Sequence, residues 1–149
     1  MEKTKKTKSE KKFEFLDITT ADVAFAAYGR SLNAVFANSA LATFEVMVDT
    51  DGVKPAKKKK VEVRGHDLQS LMFNWLNELI FLSGSENMVF SKFKLKIDEE
   101  AFALNALCAG EKMDPKKHEL RTEVKACTYH KMMVKKVGDV WRAQVILDV

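Results

Sequence analysis

The sequence predicts an α+β fold, a single compact domain in which two helices pack on β-sheet. Three observations carry that expectation. Two segments alone, near residues 32–47 and 68–82, place apolar side chains at the helical period. Most of the remainder alternates apolar and polar residues or forms short apolar runs between turns, the pattern of strands. The strands come mostly in runs, which favours α+β over alternating α/β topologies. The chain has 149 residues, 46% of them hydrophobic, a length suited to one domain with a real core.

Residues 1–12 hold six Lys, two Glu and no apolar side chain beyond Met1. Such a segment has too little apolar surface to offset its ordering entropy, so a disordered Lys-rich tail is expected there, with the folded domain spanning residues 13–149. The formal net charge is +4, yet residues 13–149 carry 19 basic and 19 acidic side chains. The charge excess therefore resides in the tail, and a neutral body argues against a dedicated nucleic-acid domain.

Residues 13–17 read as a strand, 18–22 as a polar turn and 23–28 as a second strand ended by Gly29. Ser31 is a good N-cap for a helix whose apolar positions include Leu32, Val35, Phe36, Ala40, Phe44 and Met47. A turn at 49–52 follows, and Lys57–Lys60 lead into a strand with Val61 and Val63 inward. Those lysines read as edge-strand or loop charge that discourages aggregation. Gly65-His66-Asp67 caps a second helix with a wide stripe through Leu68, Leu71, Met72, Trp75, Leu76, Leu79 and Leu82, and Gly84 suits its C-terminus. Phe93, Leu95 and Ile97 alternate with Lys92, Lys94 and Lys96 in a half-exposed strand. Residues 102–109 form the next strand and 110–120 a polar loop. Strands at 122–129 and 131–137, a turn at Gly138-Asp139 and a last strand at 140–148 complete the order.

Common catalytic motifs are absent: the sequence has no GxGxxG, P-loop, CxxC pair or HExxH. Cys108 and Cys127 are too sparse for a disulfide framework and suit a reducing, cytoplasmic setting. No apolar run is long enough to span a bilayer and no signal peptide is evident, so no membrane partner is expected. His66, His118 and His130 lack ligand spacing and read as surface or capping residues. Asp17 and Asp22 flank the turn between the first two strands, and Asp148 is penultimate on the polar face of the last strand. If the first and last strands are neighbours, Asp22, Asp148 and Val149 gather the oxygen ligands that a hard cation takes. By spacing alone, solvated turn and terminal carboxylates are the simpler reading. Lys125 leaves the apolar face beside Glu123, which reads as a surface ion pair of little energetic weight.

The chain resembles the archease family. The likeness runs through FEFLD…TADV at 13–23, AYGRSL at 27–32, FEVMVDT at 44–50 and DLQSLMFNWLNELIF at 67–81. It continues through GEKMDPKKHE at 110–119, EVKACTYH at 123–130 and VILDV at 145–149. One departure stands out. The family's usual Asp-His-Thr-Ala-Asp opening is here Asp17-Ile18-Thr19-Thr20-Ala21-Asp22, one residue longer and without the His. Asp22 therefore maps cleanly, Asp17 less so, and no role passes to a His.

The resemblance implies a non-catalytic activator of the GTP-dependent tRNA-splicing RNA ligase. Such a protein promotes ligase guanylylation and turnover, and reaches tRNA only through the ligase. It also implies a divalent cation, calcium in preference to magnesium or manganese, held by Asp22, Asp148 and Val149 with Asp17 nearby. Lys125 belongs to the same functional surface by resemblance. The alternatives are a direct RNA-binding or chaperone module using the tail and Lys57–Lys60, and a small metal-dependent hydrolase using Asp22 and Asp148.

Overall fold

The computed structural model describes residues 11–149 and contains seven strands and two α-helices. The expected tail at 1–12 lies outside the described residues except for Lys11 and Lys12. The Lys12 carbonyl accepts a hydrogen bond from Tyr28 N–H at 2.9 Å, just ahead of the first strand.

Strand β1 (Phe13–Leu16) pairs with β2 (Val23–Gly29) across the acidic turn. Ser31 then caps α1 (Leu32–Met47), its hydroxyl accepting from Ala34 N at 3.1 Å. A short 3₁₀ turn (Thr50–Gly52) leads to β3 (Lys57–Arg64). Asp67 caps α2 (Leu68–Glu86) in a capping box with Ser70. Strands β4 (Met88–Asp98), β5 (Ala103–Lys112), β6 (Ala126–Val137) and β7 (Val140–Asp148) follow.

The strands form two antiparallel sheets, one in the order β1-β2-β7-β6 and the other β3-β5-β4. Both helices touch both sheets, so one core serves the whole domain. Helix α1 shows what that does to a helix: apart from Asn33 at its first turn, every residue is at least partly buried. Trp75, at the centre of the predicted stripe of α2, is fully buried and donates from Nε1 to the Phe36 carbonyl at 3.0 Å. Phe93 lies against both Phe44 and Trp75, joining β4 to the two helices.

Four local expectations change. Gly84 lies inside α2, and Asn87 ends the helix in the left-handed region at φ 53°. Gly110 is in β5 rather than in a loop. A Cβ there would sit 1.9 Å from the Val89 carbonyl oxygen, beside the register shift between Phe90 and Lys92. The two strands expected at 122–129 and 131–137 are one strand, β6, whose pairing with β7 slips between Thr128 and Met133. Lys131 takes φ 54° within that interruption, and Gln144 donates to its carbonyl. Residues 119–122 leave the sheet to strap the end of α1. Arg121 N and Thr122 N donate to the Met47 and Val46 carbonyls, which a helix end leaves without partners of its own.

Candidate functional site

The sheet order β1-β2-β7-β6 gathers every site residue expected from the sequence at one sheet end. Asp17 directly follows β1 and Asp22 directly precedes β2. Val23 pairs with Leu147, so one step outward along that ladder Asp22 falls beside Asp148. Ala126 pairs with Asp148, and one step outward Lys125 falls beside Val149. The Lys125 N–H donates to the Asp148 carbonyl at 2.8 Å, closing the ladder at this end.

These carboxylates differ from the aspartates that close turns. Asp49, Asp67, Asp98 and Asp114 each accept from a nearby main-chain N–H. The side chains of Asp17, Asp22 and Asp148 have no hydrogen-bond or ion-pair partner among the described residues. Asp17 and Asp148 are exposed and Asp22 is half-buried. Lys125 is exposed as well, and it makes no ion pair with Glu123. Acidic side chains without partners and an exposed lysine therefore share this sheet end.

The donor set is oxygen only, which fits a hard cation more than a soft one. Among the described residues no three His, Cys, Asp or Glu side chains form a metal-sized group. A cation at this end would rest on the Asp22 and Asp148 carboxylates, the oxygens of Val149 and water.

Beside this end, α2 and residues 120–124 border a cleft of about 340 Å³ lined in part by Met47, Ile80 and Val124. The adjoining trough is lined by Phe81 and Lys125, and Phe81 is 65% exposed. An apolar ring and a lysine thus share one open surface next to the acidic end.

A buried polar cluster was not foreseen. His118, read from the sequence as a surface or capping residue, is 5% exposed. Its Nε2 lies 2.9 Å from Glu111 Oε2, and its Nδ1 accepts from Asp114 N at 2.9 Å, which puts the ring proton on Nε2. Glu111 also accepts from Lys117 Nζ at 2.6 Å and Lys54 N at 2.8 Å. These donors, Lys117 first and then His118, hold the Glu111 carboxyl down at about 2. The cluster pins the loop at 113–118, from which the 119–122 strap runs on to Lys125. The signal for it was Glu111, Lys117 and His118 standing together within GEKMDPKKHE.

Known proteins resemble this chain in sequence and in fold. The model of the Archease protein family (MTH1598/TM1083) matches residues 13–149. A protein archease of Sulfurisphaera tokodaii is 45% identical, covering 93% of this chain and 99% of its own. One from Methanothermobacter thermautotrophicus is 46% identical with the same coverage. The solution structure of Methanobacterium thermoautotrophicum protein 1598 superposes with TM-score 0.81 at 46% identity, covering 93% of this chain and 99% of that one. The crystal structure of a Thermotoga maritima archease, described as a possible chaperone, shares the fold at TM-score 0.62 and 22% identity, covering 88% and 93% of the two chains. No helix among the described residues is long and apolar enough to cross a membrane.

Proposed function

Since this chain belongs to the archease family, we propose that it activates a tRNA-splicing RNA ligase without performing the chemistry itself. The observation that carries the reading is the meeting of Asp22, Asp148, Val149 and Lys125 at one sheet end. Three separate stretches of chain converge there, and the side chains of Asp22, Asp148 and Lys125 make no hydrogen bond or ion pair among the described residues.

An accessory protein accelerates a partner by binding its competent conformer more tightly than its stalled one. The acidic end supplies charge for that discrimination, while Phe81 and Lys125 supply apolar and cationic contact beside it. Asp22, Asp148 and Val149 would hold a divalent cation, calcium first. When bound, a divalent ion would offset the negative charge of the two carboxylates on the contacting surface. Asp17 lies across the longer turn, where the extra residue alters its reach.

The test is a guanylylation assay of the cognate ligase with and without this protein. Asp22→Ala and Asp148→Ala should each lose most of the stimulation while circular dichroism stays unchanged. The carboxylates hold no structural hydrogen bond whose loss would unfold the domain. Full stimulation by folded Asp148→Ala protein would overturn the assignment.

A further inference from the structure

The outer face of the β3-β5-β4 sheet carries a charge pattern that the acidic end does not use. Pairing sets Lys58, Ala109 and Lys92 in one row across the sheet, and Lys60, Leu107 and Lys94 in the next. Glu62, Asn105 and Lys96 make the third row, and Arg64, Ala103 and Asp98 the last. Lys58, Lys60, Lys92, Lys94 and Lys96 are all exposed. None of the five pairs with a carboxylate among the described residues, whereas Lys59, Lys117 and Arg121 each do. We propose that this face binds the phosphate backbone of RNA.

The geometry suits a repeating polyanion. Two lysine columns stand about 10 Å apart, twice the spacing of paired strands, and repeat about every 7 Å along each strand. Between them the central strand presents only Ala103, Asn105, Leu107 and Ala109. A trough of about 510 Å³ opens there between Lys60 and Glu62 on one side and Lys94 and Lys96 on the other, so three lysines and one carboxylate wall it. Lysine binds phosphate as a point charge on a flexible stem, which follows a backbone without reading bases.

Edge protection explains some lysine on β3 and β4, which are the sheet's two edges. It does not explain the central strand. Opposite-charge cross-strand pairs are the stabilising choice, yet β5 offers no acidic side chain to the lysines on either side. The columns keep their charge for something outside the molecule.

The experiment is fluorescence anisotropy of a labelled unstructured RNA oligonucleotide, titrated with the full chain between about 50 and 200 mM salt. The variant Lys60→Gln/Lys94→Gln/Lys96→Gln, checked for fold by circular dichroism, should bind at least about tenfold more weakly. Its logarithmic salt slope should fall by about 0.7 for each lost phosphate contact. The matching Lys→Arg variant should keep both affinity and slope. Equal affinity and slope in the Gln variant would overturn the proposal. So would RNA binding that disappears only when residues 1–10 are removed. If the Gln variant keeps RNA affinity but loses affinity for the ligase, the face belongs to an acidic protein surface and the RNA assignment fails. This face is on the other sheet from Asp22 and Asp148, so its test does not depend on the activation assay.

Discussion

Replacing Glu111 by glutamine keeps the size of the side chain and removes the charge around which the 113–118 loop closes. In the native cluster the carboxylate accepts from Lys117 Nζ, His118 Nε2 and Lys54 N, and its side chain is 10% exposed. Its carboxyl falls from the ordinary 4.5 to about 2. At roughly 1.4 kcal/mol per pH unit, that depression corresponds to at most about 3–4 kcal/mol of folding stability at neutral pH. Lys117 is half in solvent, which screens its share, so a loss of about 2–3 kcal/mol is expected for Glu111→Gln.

The dependence on pH has a definite sign. A carboxylate with a depressed folded pKa contributes fully above its unfolded value and loses its contribution as pH falls through the folded one. The gap in stability between native protein and Glu111→Gln should therefore be constant above about pH 5, shrink from 4.5 downward and be mostly gone near pH 2. Urea unfolding of both proteins at a series of pH values measures that gap directly, since carboxylates shared by the two cancel. Parallel profiles from pH 7 to pH 3, or a gap below about 0.5 kcal/mol at neutral pH, would show that the cluster is ornamental to stability.

Two other expectations are simpler. Trp75→Ala removes a fully buried ring and its hydrogen bond to the Phe36 carbonyl, and should cost about 3–5 kcal/mol in chemical denaturation; a near-neutral value would contradict the packing between the sheets. Burial pushes the Cys108 and Cys127 thiols up to about 12, so both should resist an aromatic disulfide reagent in the native state and react in denaturant. Stoichiometric native-state labelling would mean that the core opens more readily than its burial implies.

Elements were legible wherever their information is local. Ser31 and Asp67 announce the helix starts because an N-cap acts on residues within one turn of it. The end of α2 was less legible, since Gly84 and Asn87 both tolerate a C-terminus and local propensity does not rank them by the contacts they meet. Residues 122–125 alternate like a strand, but the unfilled carbonyls at the end of α1 capture the chain at Arg121 and Thr122. Lys131 offers no turn residue to mark the interruption in β6; the slip arises from pairing with β7. The site follows the same division. Asp22 and Asp148 are individually unremarkable, and their proximity depends on β2 pairing with β7, a contact that spacing along the chain does not encode. The family likeness pointed to both residues before any pairing was known.

Charge shows the limit of counting most clearly. Residues 13–149 balance at 19 basic and 19 acidic side chains, and that balance argued against a surface for polyanions. A sum over residues is blind to the sorting that a sheet performs. Alternate side chains of a strand go to opposite faces, so KKKKVEVR sends Lys58 and Lys60 outward and SKFKLKID sends all three of its lysines, while their apolar residues face the helices. Antiparallel pairing through β5 then aligns the two sets across a strand with no charge of its own on that face. Glu62 and Asp98 share that face with Arg64 and the five lysines, and further acids, Asp17, Asp22 and Asp148 among them, lie at the end of the other sheet. A neutral body can therefore carry a basic face and an acidic end together, because each is fixed by strand pairing and neither by net composition.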